Sequence, residues 1–287
     1  MKQIETTAVI GAGTMGMGIV QVFAQAGFAV VWYDIHLSAL EKGMENIRQK
    51  LQMLVSKGKL DTDAQNAILH RITIVSSIDQ VKADLVVEAA VERIEVKRDL
   101  FSSLELNNSP QSILVTNTSS LSITAIASEL SHPGRIAGLH FFNPAPLMKL
   151  VEVVAGAQTT SETMHELVAF CSRIQKEAVV CRDSPGFIVN RVARPFYVES
   201  LKILEENTSS VASVDRLMES AGFRMGPFRL MDTIGQDINF SVTKSLFEAF
   251  HFEPRFRPSR IQEEKVKSGQ LGRKSGKGFY DYAEDKG

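Results

Sequence analysis

The chain has 287 residues, of which 44% are hydrophobic, and its 32 Lys and Arg residues nearly balance 33 Asp and Glu residues. At roughly 100–200 residues per domain, this length predicts two globular domains and excludes a disordered chain. The net charge of -1 gives no basic footprint for nucleic acid or for an anionic membrane. The 2 cysteines fit neither a redox motif nor a zinc motif, and they exclude a disulfide-stapled scaffold. We therefore expect a reducing, cytoplasmic location.

Residues 6–33 contain no charged side chain, and this stretch has the length of a membrane span or a signal peptide. It contains five glycines, however, and each glycine costs about 1 kcal/mol inside a helix. The pattern favours a strand, a glycine turn, a helix and a second strand, all buried. We expect no membrane segment here.

The glycine turn predicts a dinucleotide site. A β-branched strand at residues 6–10 runs into a G-x-G-x-x-G motif, Gly11-Ala12-Gly13-Thr14-Met15-Gly16. In this motif the first glycine allows a tight turn, the second lets the backbone approach a pyrophosphate, and the third lets the helix pack on the strand. The helix N-terminus then presents free N–H groups to the phosphates.

An acidic residue ends the second predicted strand, residues 28–33. Asp34 follows Gly16 by 18 residues, close to the distance expected for the carboxylate that binds the adenosine ribose. A carboxylate at this place accepts hydrogen bonds from a 2′-OH and repels a 2′-phosphate. The alternative is a glycine turn that merely joins a strand to a helix. The strand, helix, second strand and acid together favour NAD.

The remaining pattern predicts alternating helices and strands. Periodic apolar residues indicate helices at residues 37–58 and 61–70, and apolar runs indicate strands at 72–75, 84–89 and 113–116. This alternation predicts an open, doubly wound sheet with its ligand at the carboxyl ends of the strands. The lysines on the helix at residues 37–58 either form its solvent-exposed face or bind the phosphates of a bulky substrate.

Ser119 lies in a polar turn directly after the strand at 113–116. A reactive group would lie at such a strand end. The alternative is a helix N-cap, a position that Ser120 or Ser122 could fill equally well.

His140 and Glu152 stand in two apolar strand segments. An isolated buried carboxylate is costly, so Glu152 requires a partner, and His140 is the obvious one. A carboxylate on one ring nitrogen fixes the tautomer and leaves the other nitrogen as a base. The alternative is a purely structural pair in a core hairpin. The other histidines lack metal-ligand spacing, and we expect no metal site.

The second half of the chain predicts an all-α domain. A turn-rich break at residues 183–187 precedes helical spacing that runs nearly to the end of the chain. We therefore predict an N-terminal Rossmann-type doubly wound α/β domain at 1–184 and an all-α C-terminal domain at 185–287. Asn190, at this break, could reach the cleft between the two domains.

Several motifs together resemble the L-3-hydroxyacyl-CoA dehydrogenases. The resemblance covers essentially the whole chain in order, and it is carried by Asn117-Thr118-Ser119-Ser120, Gly138-Leu139-His140-Phe141-Phe142-Asn143-Pro144, Met148-Lys149-Leu150-Val151-Glu152-Val153, Pro185-Gly186-Phe187-Ile188-Val189-Asn190-Arg191, Met225-Gly226-Pro227-Phe228 and Gly276-Lys277-Gly278-Phe279-Tyr280.

The resemblance implies a role for each matching residue. His140 would be the general base that takes the proton of the C3 hydroxyl, and Glu152 would orient it. Ser119 and Asn190 would hydrogen-bond the substrate oxygen or the histidine. The positions that match cofactor contacts of the family are Asp34, Glu92, Lys97, Asn143 and Lys274.

The resemblance also implies an acyl-CoA substrate and a homodimer formed through the helical domain. In the family, the helical hairpin after the second strand contacts CoA, which makes Lys50, Lys57 and Lys59 candidate substrate contacts. Further motifs are more similar to the 3-hydroxyadipyl-CoA dehydrogenases of bacterial phenylacetate breakdown than to the butyryl-CoA enzymes. An adipyl chain ends in a carboxylate that Arg191, Arg194 or Arg257 could bind. Alternatively, these arginines lie at the surface or at a dimer interface.

Two other functions compete with this one. A dehydrogenase of a small hydroxy acid without CoA would need no lysine-bearing hairpin. A catalytically idle protein on the same fold should have lost Ser119, His140, Glu152 or Asn190, and all four are present.

Overall fold

The computed structural model describes residues 4–282, so residues 1–3 and 283–287 of the two predicted domains lie outside the described part. The chain packs as two compact units that divide between Ser184 and Pro185. The first unit is an α/β sheet domain and the second is helical, in agreement with the predicted fold class.

The first unit is built on one eight-stranded sheet. Its strands lie in the order β3-β2-β1-β4-β5-β6-β7-β8. The strands are β1 (Thr6–Ile10), β2 (Ala29–Tyr33), β3 (Ile72–Val75), β4 (Leu85–Glu88), β5 (Ile113–Thr116), β6 (Ile136–Phe141), β7 (Leu150–Ala155) and β8 (Glu177–Arg182). The first six are parallel, and β7 pairs antiparallel with β6. Connections through helices are what allow parallel strands to be neighbours.

Six helices accompany this sheet: α1 (Thr14–Gln25), α2 (Leu37–Ser56), α3 (Thr62–His70), α4 (Ile94–Asn107), α5 (Ile123–Ala127) and α6 (Ser161–Arg173). Their apolar faces bury a continuous core in which Phe23, Phe141 and Phe170 meet edge to face. Strand β8 and helices α4 and α6 have no counterpart in the sequence prediction. Helix α2 ends two residues earlier than predicted, at Ser56.

Two glycines of the motif have the steric roles that the sequence predicts. Gly11 adopts a φ of 104°, in the left-handed region, where it turns the chain out of β1. A Cβ atom at Gly16 would lie 2.0 Å from the Gly11 carbonyl oxygen, so only glycine allows helix and turn to approach this closely. Gly13 differs, because a Cβ atom there would meet nothing within 4 Å.

The second unit contains helices α7 (Val189–Glu205), α8 (Val211–Ser220), α9 (Pro227–Ile234), α10 (Gln236–Ala249) and α11 (Arg260–Lys267). Two buried carboxylates hold its closing segment. Asp232 accepts hydrogen bonds from the backbone N–H groups of Phe279 (2.9 Å) and Tyr280 (3.0 Å). Asp215 accepts a hydrogen bond from the Tyr280 hydroxyl at 2.7 Å. The closing glycine-rich motif is therefore a packing element of the helical unit.

The contrast between two glycines predicts effects of very different size for the same substitution. Gly16→Ala should lower the free energy of unfolding by about 1–3 kcal/mol or more, because the new methyl group overlaps backbone. Gly13→Ala should change it by less than about 1 kcal/mol, because its Cβ points into open space and the loss of glycine's N-cap preference is offset by the lower conformational entropy of the unfolded chain with alanine. Urea denaturation of both variants measures the difference, and equal stability of the two would contradict the packing described here.

Candidate active site

Most of the predicted site residues of the first unit gather at the carboxyl edge of the sheet. Backbone hydrogen bonds link the turns that follow neighbouring strands there: Ala89 N–H donates to Ile10 O at 2.8 Å, and Asn117 N–H donates to Glu88 O at 2.7 Å. The turns after β1, β4, β5 and β6 therefore lie side by side. In doubly wound sheets this edge is where ligands bind.

The glycine turn fits a dinucleotide pyrophosphate. Gly13 occupies the N-cap position of α1 and has no side chain with which to cap the helix. The first N–H groups of a helix have no partner within it, so those around Thr14, Met15 and Gly16 suit an anion. The open space at Gly13 lets such an anion reach the backbone.

Asp34 is held beside this turn by backbone donors. Its Oδ2 accepts a hydrogen bond from Ala12 N–H at 2.7 Å, and its Oδ1 accepts one from His36 N–H at 2.8 Å. Each carboxylate oxygen has a second lone pair, so both can still accept a hydrogen bond from a ribose hydroxyl. Asp34 therefore both shapes the glycine turn and presents an acceptor next to it.

A buried ion pair lies beneath the neighbouring strand ends. Lys97 is 1% exposed, and its Nζ lies 2.6 Å and 2.8 Å from the two carboxylate oxygens of Glu88. The same Nζ lies 3.3 Å from Glu92 Oε2. Thr116 and the Ala90 backbone also donate to Glu88, each at 2.6 Å. Because Lys97 is buried and surrounded by carboxylates, its main contact with the site runs through Glu92.

Glu92 organises the turn that carries Ser119. Its Oε1 accepts hydrogen bonds from the Thr118 hydroxyl at 2.5 Å and from the Ser119 backbone N–H at 3.0 Å. The N-cap of the following helix is Ser122, whose hydroxyl accepts from Ala125 N–H at 3.1 Å. That helix begins at Ile123, so Ser119 is not its cap.

His140 and Glu152 form the pair that the sequence predicts. They are register partners on the antiparallel strands β6 and β7, so their side chains project from the same face of the sheet. His140 Nδ1 lies 2.7 Å from Glu152 Oε2, with His140 6% and Glu152 0% exposed. When Nδ1 donates to the carboxylate, the ring's lone pair lies on Nε2. This is the geometry of an oriented general base.

Asn117 connects the serine turn to the histidine strand. Its Oδ1 accepts a hydrogen bond from the backbone N–H of Phe141, the residue after His140, at 2.8 Å. The Phe142 ring packs on the imidazole, with the two ring centroids 4.5 Å apart. These contacts fix the end of β6 on both sides of the catalytic candidate.

The other predicted residues lie elsewhere in their units. Asn143 is exposed in the loop after β6, a loop whose Ala145 packs against Gly18 of α1. Lys50 on α2, with Lys57 and Lys59 in the turn after it, are exposed to solvent. In the helical unit, Asn190 is half-buried in the first turn of α7.

Lys274, also in the helical unit, forms an ion pair with Asp237 at 2.6 Å. Burial opposes ionisation of Asp237, but the hydrogen bond from Lys274 and its positive charge outweigh it and hold the pKa of this carboxyl below its usual value. Lys274 is therefore fixed by a carboxylate of its own unit.

Neither cysteine has the environment of a nucleophile. Burial raises the pKa of the Cys171 thiol to about 12 and, with the charges of Glu152 and Asp183, that of Cys181 to about 11. Both thiols are therefore protonated at neutral pH. Residues 4–282 contain no group of three metal-ligating side chains that could hold an ion. Within the same range, no helix has the length and apolar character needed to span a bilayer.

Sequence analysis assigned no role to Glu88, Asn117 or Thr118, each of which positions a predicted residue. One signal was present: Glu88 ends an apolar strand, and a buried carboxylate requires a partner. Its partner lies nine residues later on a helix that returns over the strand end, a contact that spacing alone does not predict. Asn117 and Thr118 act through side-chain contacts with residues of other turns, and local spacing does not predict such contacts.

The buried ion pair predicts a large loss of stability when one partner is removed. Lys97→Met leaves the fully buried Glu88 carboxylate without its cation and should lower the free energy of unfolding by about 3–5 kcal/mol. Lys59→Met, at an exposed lysine, serves as the matched control and should stay within about 0.5 kcal/mol of wild type. Denaturant unfolding monitored by Trp32 fluorescence measures both. Equal stabilities for the two variants would show that Glu88 does not depend on Lys97.

Comparison with known proteins gives one consistent answer. The model of the 3-hydroxyacyl-CoA dehydrogenase NAD-binding domain matches residues 6–184, and the model of the C-terminal domain of the same enzymes matches residues 186–282. A 3-hydroxyadipyl-CoA dehydrogenase of Escherichia coli K12 is 50% identical over 284 residues, which are 98% of this chain and 60% of that protein. The chain thus spans about three-fifths of the length of this relative.

Two further matches agree with this one. A probable 3-hydroxybutyryl-CoA dehydrogenase of Bacillus subtilis is 38% identical over 98% of this chain and 99% of that protein. A crystal structure of a 3-hydroxybutyryl-CoA dehydrogenase from E. coli K12 superposes with a TM-score of 0.96 at 49% identity, over 98% of this chain and 60% of that chain. The names of these relatives differ in the acyl group. What they share is the family, and this chain belongs to the 3-hydroxyacyl-CoA dehydrogenases.

Proposed function

We propose that this protein catalyses the reversible, NAD-dependent oxidation of the C3 hydroxyl of an L-3-hydroxyacyl-CoA to the 3-oxoacyl-CoA, with a short-chain or dicarboxylic acyl group. The observation that carries the proposal is the buried His140–Glu152 pair at the carboxyl edge of the sheet that also carries the glycine turn. An oriented base and a dinucleotide cradle on one sheet edge are the two parts that alcohol oxidation requires.

His140 is the general base. As the alcohol is oxidised, Nε2 takes the proton of the C3 hydroxyl, and the bound nicotinamide supplies the chemistry of a two-electron acceptor for the C3 hydride. In the reverse direction the imidazolium returns its proton to the ketone oxygen. Glu152 holds the Nδ1–H at 2.7 Å, which aims Nε2 and stabilises the imidazolium by its charge.

Ser119 and Asn190 bind the substrate oxygen or the histidine. Support for Ser119 comes from its place in the turn after β5, where Glu92 and Asn117 hold the backbone. Support for Asn190 comes from its family motif, in the first turn of α7.

The cofactor is held mainly by backbone and carboxylate groups. Gly11, Gly13, Thr14, Met15 and Gly16 form the pyrophosphate cradle, and Asp34 accepts hydrogen bonds from the adenosine ribose. Glu92, Lys97, Asn143 and Lys274 complete the proposed set of cofactor-site residues. Of these, Lys97 is a positioning residue, because it acts through Glu92.

The CoA moiety is bound by the exposed lysines of the first unit. Lys50, Lys57 and Lys59 lie on one end of α2 and the turn after it, where solvent-exposed ammonium groups can pair with phosphates. A homodimer formed through the helical domain, a cytoplasmic location and a role in phenylacetate breakdown stay predictions from the resemblance.

A panel of three substrates tests the proposal. NADH consumption should be seen with acetoacetyl-CoA and 3-oxoadipyl-CoA but not with free acetoacetate, because the lysines and the acyl thioester are both needed. NADPH should be a poor replacement, since the Asp34 carboxylate repels a 2′-phosphate, and Asp34→Ala should relax this preference. Turnover of free acetoacetate alone would point to a dehydrogenase of small hydroxy acids. NADH binding without turnover of any substrate would point to an idle protein.

A further inference from the structure

We propose that Glu88 sets the charge around the nicotinamide, so that the protein favours the oxidised, cationic form of the cofactor over the reduced, neutral form more than it would without this carboxylate. Glu88 acts through a triad that it forms with Lys97 and Glu92. The inference rests on the proposed function and deepens it. All of the groups involved belong to the first unit.

The order of the strands relates the nicotinamide to β4 and β5. Asp34, the proposed ribose ligand, follows β2, and the glycine turn that fits the pyrophosphate follows β1. His140 lies on β6, and β4 and β5 lie between β1 and β6 in the sheet. The C3 hydride has to pass from a carbon bound beside His140 to the nicotinamide, so the two must be close. A dinucleotide in this crevice therefore has its adenosine on the β2 side and its nicotinamide at the ends of β4 and β5.

The triad joins the ends of these two strands. Glu88 is the last residue of β4, and its carboxylate oxygens lie 2.6 Å and 2.8 Å from Lys97 Nζ. Thr116, the last residue of β5, donates its hydroxyl to the same carboxylate at 2.6 Å. Lys97 Nζ also lies 3.3 Å from Glu92 Oε2, and Glu92 Oε1 accepts from Ser119 N–H at 3.0 Å. The charges of the triad therefore lie at the strand ends where the nicotinamide is expected.

The triad has one more negative charge than positive charges, because two carboxylates share a single ammonium. Glu88 and Lys97 are both buried, so their charges are poorly screened by solvent. The N-terminus of α4, two residues after Glu92, adds roughly half a positive charge, which reduces the excess without cancelling it. The neighbouring cation along the chain, Arg93, is exposed, and water and salt screen its charge. The balance at the ends of β4 and β5 is therefore negative.

A negative balance distinguishes between the two forms of the cofactor. NAD⁺ and NADH share their adenosine, pyrophosphate and riboses, and they differ by one positive charge on the nicotinamide ring. The attraction between opposite charges extends over several ångströms in a partly desolvated site. The triad therefore stabilises the oxidised ring, whereas contacts with the shared parts of the cofactor cancel when the two affinities are compared.

Glu152 has the opposite effect on the reaction. When His140 Nε2 takes the hydroxyl proton and the C3 hydride leaves for the nicotinamide, the ring loses its positive charge and His140 gains one. Glu152 Oε2 lies 2.7 Å from His140 Nδ1 and stabilises the positive charge after this step, whereas the triad of Glu88 stabilises it before the step. The two groups therefore shift the equilibrium between bound reactants and bound products in opposite directions.

The test compares the dissociation constants of NAD⁺ and NADH for variants of the full-length protein. Nicotinamide fluorescence measures NADH binding, and competition with NADH measures NAD⁺ binding. Glu88→Gln keeps the size of the side chain but removes its charge, so the ratio of the NAD⁺ constant to the NADH constant should rise by roughly 3–10-fold, the order expected for one unit charge in a partly solvated site. Lys97→Met increases the negative excess and should lower the same ratio.

Two further variants separate charge from packing. Thr116→Val removes the hydroxyl that donates to Glu88 but changes no charge, so it should leave the ratio of the two constants as in wild type. Glu92→Gln removes the other negative charge of the triad and should raise the ratio, as Glu88→Gln does. Because 39% of the Glu92 side chain is exposed, this variant provides the test if the buried substitutions at Glu88 and Lys97 prevent folding.

The outcomes also separate this inference from the proposed function. If Glu88→Gln weakens the binding of NAD⁺ and NADH by the same factor, the role of Glu88 is structural and the inference is wrong, while the dehydrogenase activity stands. A raised ratio for Thr116→Val would assign the effect to packing and would overturn the inference as well. Failure of the wild-type protein to bind either form of the cofactor would remove the proposed function itself and, with it, this inference.

Discussion

The hydrogen bond between His140 and Glu152 is the interaction on which the site depends. It exists because β7 reverses direction against β6 and places the two residues in register on one face of the sheet. Without the carboxylate, the buried imidazole would lose the acceptor 2.7 Å from Nδ1 that orients it. Without the histidine, the fully buried Glu152 carboxylate would lose its hydrogen bond to a ring that can carry the neutralising charge. The antiparallel pairing of β6 and β7 therefore creates the catalytic pair, and the hydrogen bond of the pair holds the two strands in this register.

The rest of the sheet edge supports this pair through carboxylates. Asp34 accepts backbone hydrogen bonds at the glycine turn, Glu88 anchors Lys97, and Glu92 holds the turn that carries Ser119. Each carboxylate forms hydrogen bonds that hold a turn or a side chain in place at the edge of the sheet. Loops that carry function need such anchors, because their own backbone is less constrained than that of the strands. The helical unit uses carboxylates in the same way, since Asp215 and Asp232 hold its closing segment.

The sequence predicted the parts of this arrangement that leave a local pattern. The glycine motif, Asp34 and the parallel strands follow from spacing, and the His140–Glu152 pair follows from the cost of an isolated buried carboxylate. The edge strand β8 was missed because its half-buried pattern lacks a continuous apolar run. Lys97 could be named only by resemblance, since its contact with Glu88 depends on how α4 returns over the sheet. The burial of Arg194, which is 2% exposed, could not be predicted from the sequence either, because an arginine on a helix is usually exposed to solvent.

The most direct test of the account is whether His140 and Glu152 act as one unit. The measurement is kcat with acetoacetyl-CoA and NADH for His140→Ala, Glu152→Gln and the double variant, with NADH binding recorded for each. The account predicts that His140→Ala lowers kcat by about 10²–10⁴-fold while NADH still binds. It further predicts that the double variant is no slower than His140→Ala, because both residues serve one proton transfer. A kcat near wild type for His140→Ala, or losses that multiply in the double variant, would contradict it.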